Sequence, residues 1–160
     1  MAKRRKKTNK NVPAKGRLRD IADQLWSLAV RGDWNWRCAV CGNSKVEAHH
    51  LSPRQHEETR YLLRNGIALC SRHHQFCPDV SPHQNAAGWL EWLEHNHPKL
   101  AVWYQDLIET GKHKEFNGVK NAHYYCDVNL SFREFVPEGE FREVVGIRFS
   151  EWLETEYCNG

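Results

Sequence analysis

No stretch of the 160-residue sequence approaches the roughly twenty consecutive apolar residues that a membrane-spanning helix needs. The N-terminus lacks the apolar segment of a secretory signal. No internal repeat is evident. Cysteine is sparse for a disulfide scaffold. There are six, and at least three of them sit at metal-ligand spacing. Acidic residues are missing from the first nineteen positions altogether. These absences argue against a membrane-spanning helix and against a disulfide scaffold. They leave the expectation of a cytoplasmic protein in a reducing compartment, with Cys126 and Cys158 as free thiols. The length suggests one domain with a modest core.

What is present is unevenly distributed. Residues 1–19 hold nine basic side chains: Lys3, Arg4, Arg5, Lys6, Lys7, Lys10, Lys15, Arg17 and Arg19. The rest of the chain holds 14 basic against 20 acidic residues, so a net charge of +3 conceals a basic arm on an acidic body. Such an arm, here residues 1–17, has too few apolar residues to fold alone and reads as a nucleic-acid tether. The alternative is a solubilising tail or an address signal.

The chain is organised around Cys38 to His74, CAVCGNSKVEAHHLSPRQHEETRYLLRNGIALCSRHH. Cys38-x-x-Cys41 opens it and Cys70-x-x-His73 closes it. Thiolates and imidazoles in pairs two residues apart are the usual ligands of a closed tetrahedral zinc site. Cys38, Cys41, Cys70 and His73 are therefore expected to bind a structural Zn²⁺, with Cys77 as the alternative to His73. A redox or disulfide role for Cys38 and Cys41 is disfavoured, because no βαβ pattern surrounds them.

The residues left over within this stretch are His49-His50, Asn65-Gly66 and His74. Together with CAVCG, EAHHL, NGIALC and the terminal histidine pair, their order resembles an HNH endonuclease of the phage and bacterial zinc-containing branch. The resemblance covers about residues 34–80. It implies a ββα-metal fold, with a hairpin carrying the histidine pair, a loop carrying the asparagine and a helix carrying the last histidine. It further implies His50 as general base, His49 and His74 as ligands of a catalytic divalent metal, and Asn65 as the residue that holds the loop beside His50. The branch usually closes with Cys-x-x-Cys-His where this chain has Cys70-x-x-His73-His74, so an exchange of roles between His73 and His74 stays open. Mg²⁺ or Mn²⁺ is the expected catalytic metal, and two imidazoles also suit Ni²⁺ or Zn²⁺. The implied reaction is hydrolysis of a DNA phosphodiester bond to a 3′-hydroxyl and a 5′-phosphate, in phage genome processing, restriction or homing. A homodimer or a phage packaging partner fits those settings. A non-catalytic zinc module that binds nucleic acid or protein, and an RNA nuclease, are the alternatives.

The flanks read as follows. Residues 17–31 place Leu18, Ile21, Leu25 and Leu28 on one helical face, with Gly32 as the stop. Trp34 and Trp36 are expected in the core. Arg54, Arg60 and Arg64, in a polar loop or short helix, are candidate phosphate contacts. Ser81-Pro82 should open a helix to about His95, on whose surface His83 would lie, with a place on the catalytic metal as its alternative, and Pro98 another to about Thr110 ended by Gly111. These two make an αα-hairpin, with Trp89, Trp92 and Trp103 against the core. The tail segments YYCDVNL, LSFREFV and EVVGIRF have strand-like composition, and Ser150 reads as the cap of a last short helix. The expected fold class is α+β: a zinc-stapled ββα-metal nuclease core over 18–110 with flanking helices, and a small C-terminal β-rich extension over 111–160.

Overall fold

The computed structural model describes residues 11–158. Lys3, Arg4, Arg5, Lys6, Lys7 and Lys10, the expected nucleic-acid contacts of the arm, lie outside the described residues. The chain forms two compact units, one from the described residues up to Leu25 together with Val119 onward, the other from Trp26 to Gly118. No helix among the described residues is long and apolar enough to cross a membrane.

Helix α1 runs over Lys15–Asp33. Its buried residues are Leu18, Ile21, Ala22, Leu25, Trp26, Ala29 and Val30, the i, i+3, i+4 stripe of an amphipathic helix. Leu28 is only half-buried. Gly32 does not end the helix. The left-handed positions fall at Asn35 and Trp36, with φ of 52° and 55°. Asparagine tolerates that region, whereas tryptophan does not do so readily. Trp36 is also surface-facing rather than core, covered by the Arg31 guanidinium 4.7 Å from its ring centre.

The second unit is built on a two-stranded antiparallel sheet, β1 (Glu47–His50) and β2 (Gly66–Leu69). His49 pairs with Ile67 and His50 with Gly66. Between the strands lie the short helix α2 (Glu57–Arg60) and a single turn at Leu63–Asn65. All four residues of β2 are buried, as expected of a strand covered on both faces. After β2 comes one wide turn at Arg72–Phe76, in which the Cys77 N–H reaches back five residues to the Arg72 carbonyl at 2.7 Å. Helices α3 (Ala86–Asn96) and α4 (Pro98–Thr110) follow as the expected hairpin. Pro98 stands at the start of α4, and Gly111 ends it with a φ of +69° that a side chain would strain. Ile67, Leu69, Trp89 and Leu93 form the core, with Trp34, Trp92 and Trp103 packed around it.

The N-terminus of α3 departs from expectation. Its cap is Asn85, whose Oδ1 accepts the Gly88 N–H at 3.0 Å. Ser81 instead donates its hydroxyl to the His74 carbonyl at 2.9 Å. Residues 81–85 therefore close a loop, held by Asn85 N–H to Ser81 O at 2.9 Å, rather than a first helical turn.

The C-terminal extension is helical, not β-rich. It comprises α5 (Ala122–Ser131), α6 (Glu138–Val145), α7 (Ile147–Trp152) and a final turn over Leu153–Tyr157. Aromatic and β-branched residues suggest strands, but the buried positions recur every four residues: Phe141, Val145, Phe149 and Leu153. That is a helix period, and packing overrides composition. The Asn121 side chain caps α5 through the Tyr124 N–H at 2.9 Å. Gly146, at φ +85°, lets the chain turn between α6 and α7. Ser150 lies buried inside α7 rather than capping the last turn. The bulk is mixed α+β but helix-rich, with a single two-stranded sheet among the described residues.

Candidate metal centres

The first site forms where the turn after α1 meets the end of β2. Cys38 precedes a tight turn in which the Gly42 N–H bonds the Cys38 carbonyl, with Gly42 at φ +71°. The Ala39 N–H bonds the Ala68 carbonyl at 2.9 Å, docking this turn on the sheet. Cys41 and Cys70 sulfurs are 3.8 Å apart. His73 Nδ1 lies 3.3 Å from the Cys70 sulfur and 3.7 Å from that of Cys38. A tetrahedral zinc with bonds of about 2.3 Å to sulfur and 2.05 Å to nitrogen sets edges of about 3.8 Å between sulfurs and 3.6 Å between sulfur and nitrogen. The observed edges fall near these values and are too long for a disulfide.

All six cysteines are free thiols. Burial opposes ionisation of Cys38, but backbone N–H groups of Cys70, Cys41 and Val40 outweigh it and hold the thiol below its ordinary range. Burial raises Cys41, and the neighbouring Cys38 and Cys70 sulfurs raise it further. Crowded thiolates of this kind call for a cation. Four ligand atoms, from Cys38, Cys41, Cys70 and His73, thus lie within metal-binding reach of one another. Cys77 is buried but stands outside this group.

The second site lies on the other side of the same turn. Successive residues of a helical turn point about 100° apart, so His73 faces the sulfurs while His74 faces β1. His74 Nε2 lies 3.0 Å from His49 Nδ1 and 3.3 Å from His83 Nε2. The other nitrogen of His74, Nδ1, donates to the Glu47 carboxylate at 2.9 Å. A carboxylate behind a histidine fixes its tautomer and directs the opposite nitrogen toward a metal. Burial, then the charges of His74, His83 and His50, push His49 down to about 3. His49 is therefore neutral at physiological pH and has its lone pair available. The three imidazoles form the second cluster of possible metal ligands among the described residues.

His83 does not lie on a helix surface, contrary to the expectation from Ser81-Pro82. The 81–85 loop returns it to the cluster instead. The signal in the sequence is Asn85, as good a cap residue as Ser81, and its use as the cap leaves His83 outside the helix.

His50 lines the same cavity of about 670 Å³ as His49, His74 and His83, together with Arg54 and Tyr104. Its Nε2 donates to the Arg60 carbonyl at 3.0 Å, so Nδ1 is the basic nitrogen. Asn65 is fully buried and clamps the segment between the strands. Its Oδ1 accepts the Ser52 N–H at 2.7 Å, and its Nδ2 donates to the carbonyls of Ser52 at 2.9 Å and Thr59 at 3.1 Å. Three backbone groups are satisfied by one amide, at positions close to His50 and Arg60.

Of the candidate phosphate contacts, Arg54 lines the cavity. Arg60 donates to the Arg54 carbonyl at 3.0 Å and lies over the Tyr61 ring. Arg64 lies over Trp103 and donates to the Lys99 carbonyl at 3.4 Å. No protein-family model, curated protein or solved structure matches this chain.

Proposed function

We propose that the chain is a metal-dependent DNA endonuclease of the HNH type, its β1–β2 hairpin and Arg72–Phe76 turn forming a ββα-metal centre. The observation that carries this reading is the convergence of His49, His74 and His83 in one cavity with His50. Asn65 clamps the intervening loop there.

Cys38, Cys41, Cys70 and His73 would hold a structural zinc, which fixes the turn carrying His74. His49, His74 and His83 would hold the catalytic divalent ion. Three nitrogen donors, one backed by Glu47, suit Ni²⁺ or Zn²⁺ better than Mg²⁺ or Mn²⁺, which prefer oxygen. Bound there, the ion would supply charge stabilisation to a non-bridging phosphate oxygen and the leaving oxygen.

The chain's own part is proton transfer and positioning. His50 Nδ1 takes the proton from water as its oxygen attacks phosphorus. The bond from phosphorus to the 3′-oxygen breaks, the leaving oxygen acquires a proton from solvent, and the products are a 3′-hydroxyl and a 5′-phosphate. The Arg60 carbonyl holds the Nε2 proton, so only Nδ1 can act as base. Arg54 at the cavity supplies a positive charge for the DNA backbone, and the basic arm adds sequence-independent attraction.

The test is incubation of the purified protein with supercoiled plasmid across Mg²⁺, Mn²⁺, Ni²⁺ and Zn²⁺, with EDTA as control and matched RNA alongside. Metal-dependent nicking is expected, reduced about 10²–10⁴-fold in His50→Ala with DNA binding and zinc content retained. Equal nicking by both proteins would remove His50 as base. No cleavage with any ion would leave a zinc-bearing binding module.

A further inference from the structure

His50 is held by more than its hydrogen bond. The Trp26 indole stacks on the imidazole with ring centroids 3.6 Å apart and planes 10° from parallel. Trp26 is itself locked: it is 3% exposed, and its Nε1 donates to the Leu62 carbonyl at 3.1 Å. The opposing strand leaves room for this arrangement. Gly66 pairs with His50, and a Cβ there would lie 2.2 Å from Val30 Cγ2 and 2.9 Å from Trp26 Cζ2. The Gly66 carbonyl in turn accepts the Trp34 indole N–H at 3.2 Å. Two indoles and a glycine thus converge on the strand position opposite His50.

A hydrogen bond at one nitrogen does not by itself fix the plane of an imidazole ring, which can still rock about the N–H···O axis. A flat surface parallel to the ring removes that freedom. With Nε2 fixed by Arg60 and the face fixed by Trp26, the Nδ1 lone pair has one direction. Alignment of this kind matters to rate because a small angular error at the reacting atom is costly.

We infer that Trp26 is a positioning residue for His50, its indole face setting the ring plane and so the direction in which Nδ1 takes its proton. This rests on the nuclease reading for its effect on rate, but not for its effect on the ring.

Two variants and one spectroscopic measurement test it. Trp26→Phe keeps an aromatic face, whereas Trp26→Leu keeps apolar volume without one. Trp26→Leu should lower kcat on plasmid about 10–100-fold with KM within about twofold, and Trp26→Phe should recover most of the loss. Zinc content and the melting curve are checked for both. In the unmodified protein, the His50 ring protons should be displaced upfield in the NMR spectrum by the indole ring current, with the ring in a single Nε2–H tautomer. Wild-type kcat in a folded Trp26→Leu protein would overturn the inference. A rate loss that Trp26→Phe fails to relieve would also overturn it. If Trp26→Leu does not fold, the ring-proton shifts decide: displaced resonances support the stack, and ordinary ones refute it. If the unmodified protein cleaves nothing, the nuclease reading fails, while the same resonances still report whether Trp26 orients the imidazole.

Discussion

Asn65 and His83 mark the two extremes of what a residue's identity discloses. Asn65 is followed by glycine, a turn signal and little more, yet it buries completely and satisfies three backbone groups of the loop beside His50. Its holding role was legible because the surrounding order of residues resembles a known family. His83 was legible only as the lesser alternative, because Ser81-Pro82 imitates a helix start and hides the loop that brings the imidazole to His74. Glu47 behind His74 and Trp26 under His50 were invisible, since both depend on partners distant in sequence. The four ligands of the first cluster are the opposite case, where spacing alone selects side chains that meet at zinc-like edges. Cys38→Ser should abolish stoichiometric zinc, measured by elemental analysis, and lower the melting temperature sharply, because a closed zinc site contributes folding free energy. A variant that melts like the parent without zinc would reject the structural site.

Among the elements, the helices with strong punctuation were readable and the tail was not. Pro98 and Gly111 bracket α4 where they should. In the tail, Tyr, Phe and Val favour strands residue by residue, while the four-residue recurrence of Phe141, Val145, Phe149 and Leu153 obeys the helix. Several acidic side chains of that region are engaged with arginines. Glu154 meets Arg133 at 2.9 Å and Arg142 at 3.4 Å, and Arg142 also pairs with Glu138 one turn away. Such exposed pairs contribute little individually. The close approach of α1 to β2 is a stricter requirement. Gly66→Ala would force its methyl into Val30 and Trp26, two side chains with little freedom to retreat. A loss of about 1–3 kcal/mol is expected from urea unfolding. An unchanged midpoint would mean that α1 shifts without cost.

At the scale of the whole molecule, basic charge is concentrated in the first nineteen residues of the sequence. Nine of 23 basic residues precede Asp20. Removing residues 1–17 should weaken DNA affinity and flatten the dependence of log K on log salt, by about 0.9 for each phosphate that the shortened chain no longer neutralises. Equal affinities for full-length and shortened protein at low and moderate salt would assign the arm to solubility alone. Within the unit from Trp26 to Gly118, His73 and His74 are neighbours along the backbone, and they look toward different clusters. An oxidant or alkylating agent that captures Cys38, Cys41 or Cys70 would loosen the strand end to which both histidines are tied. On the proposed nuclease reading, sulfurs of the first cluster would then govern whether DNA is cut, and the redox state of the surroundings would act as a brake.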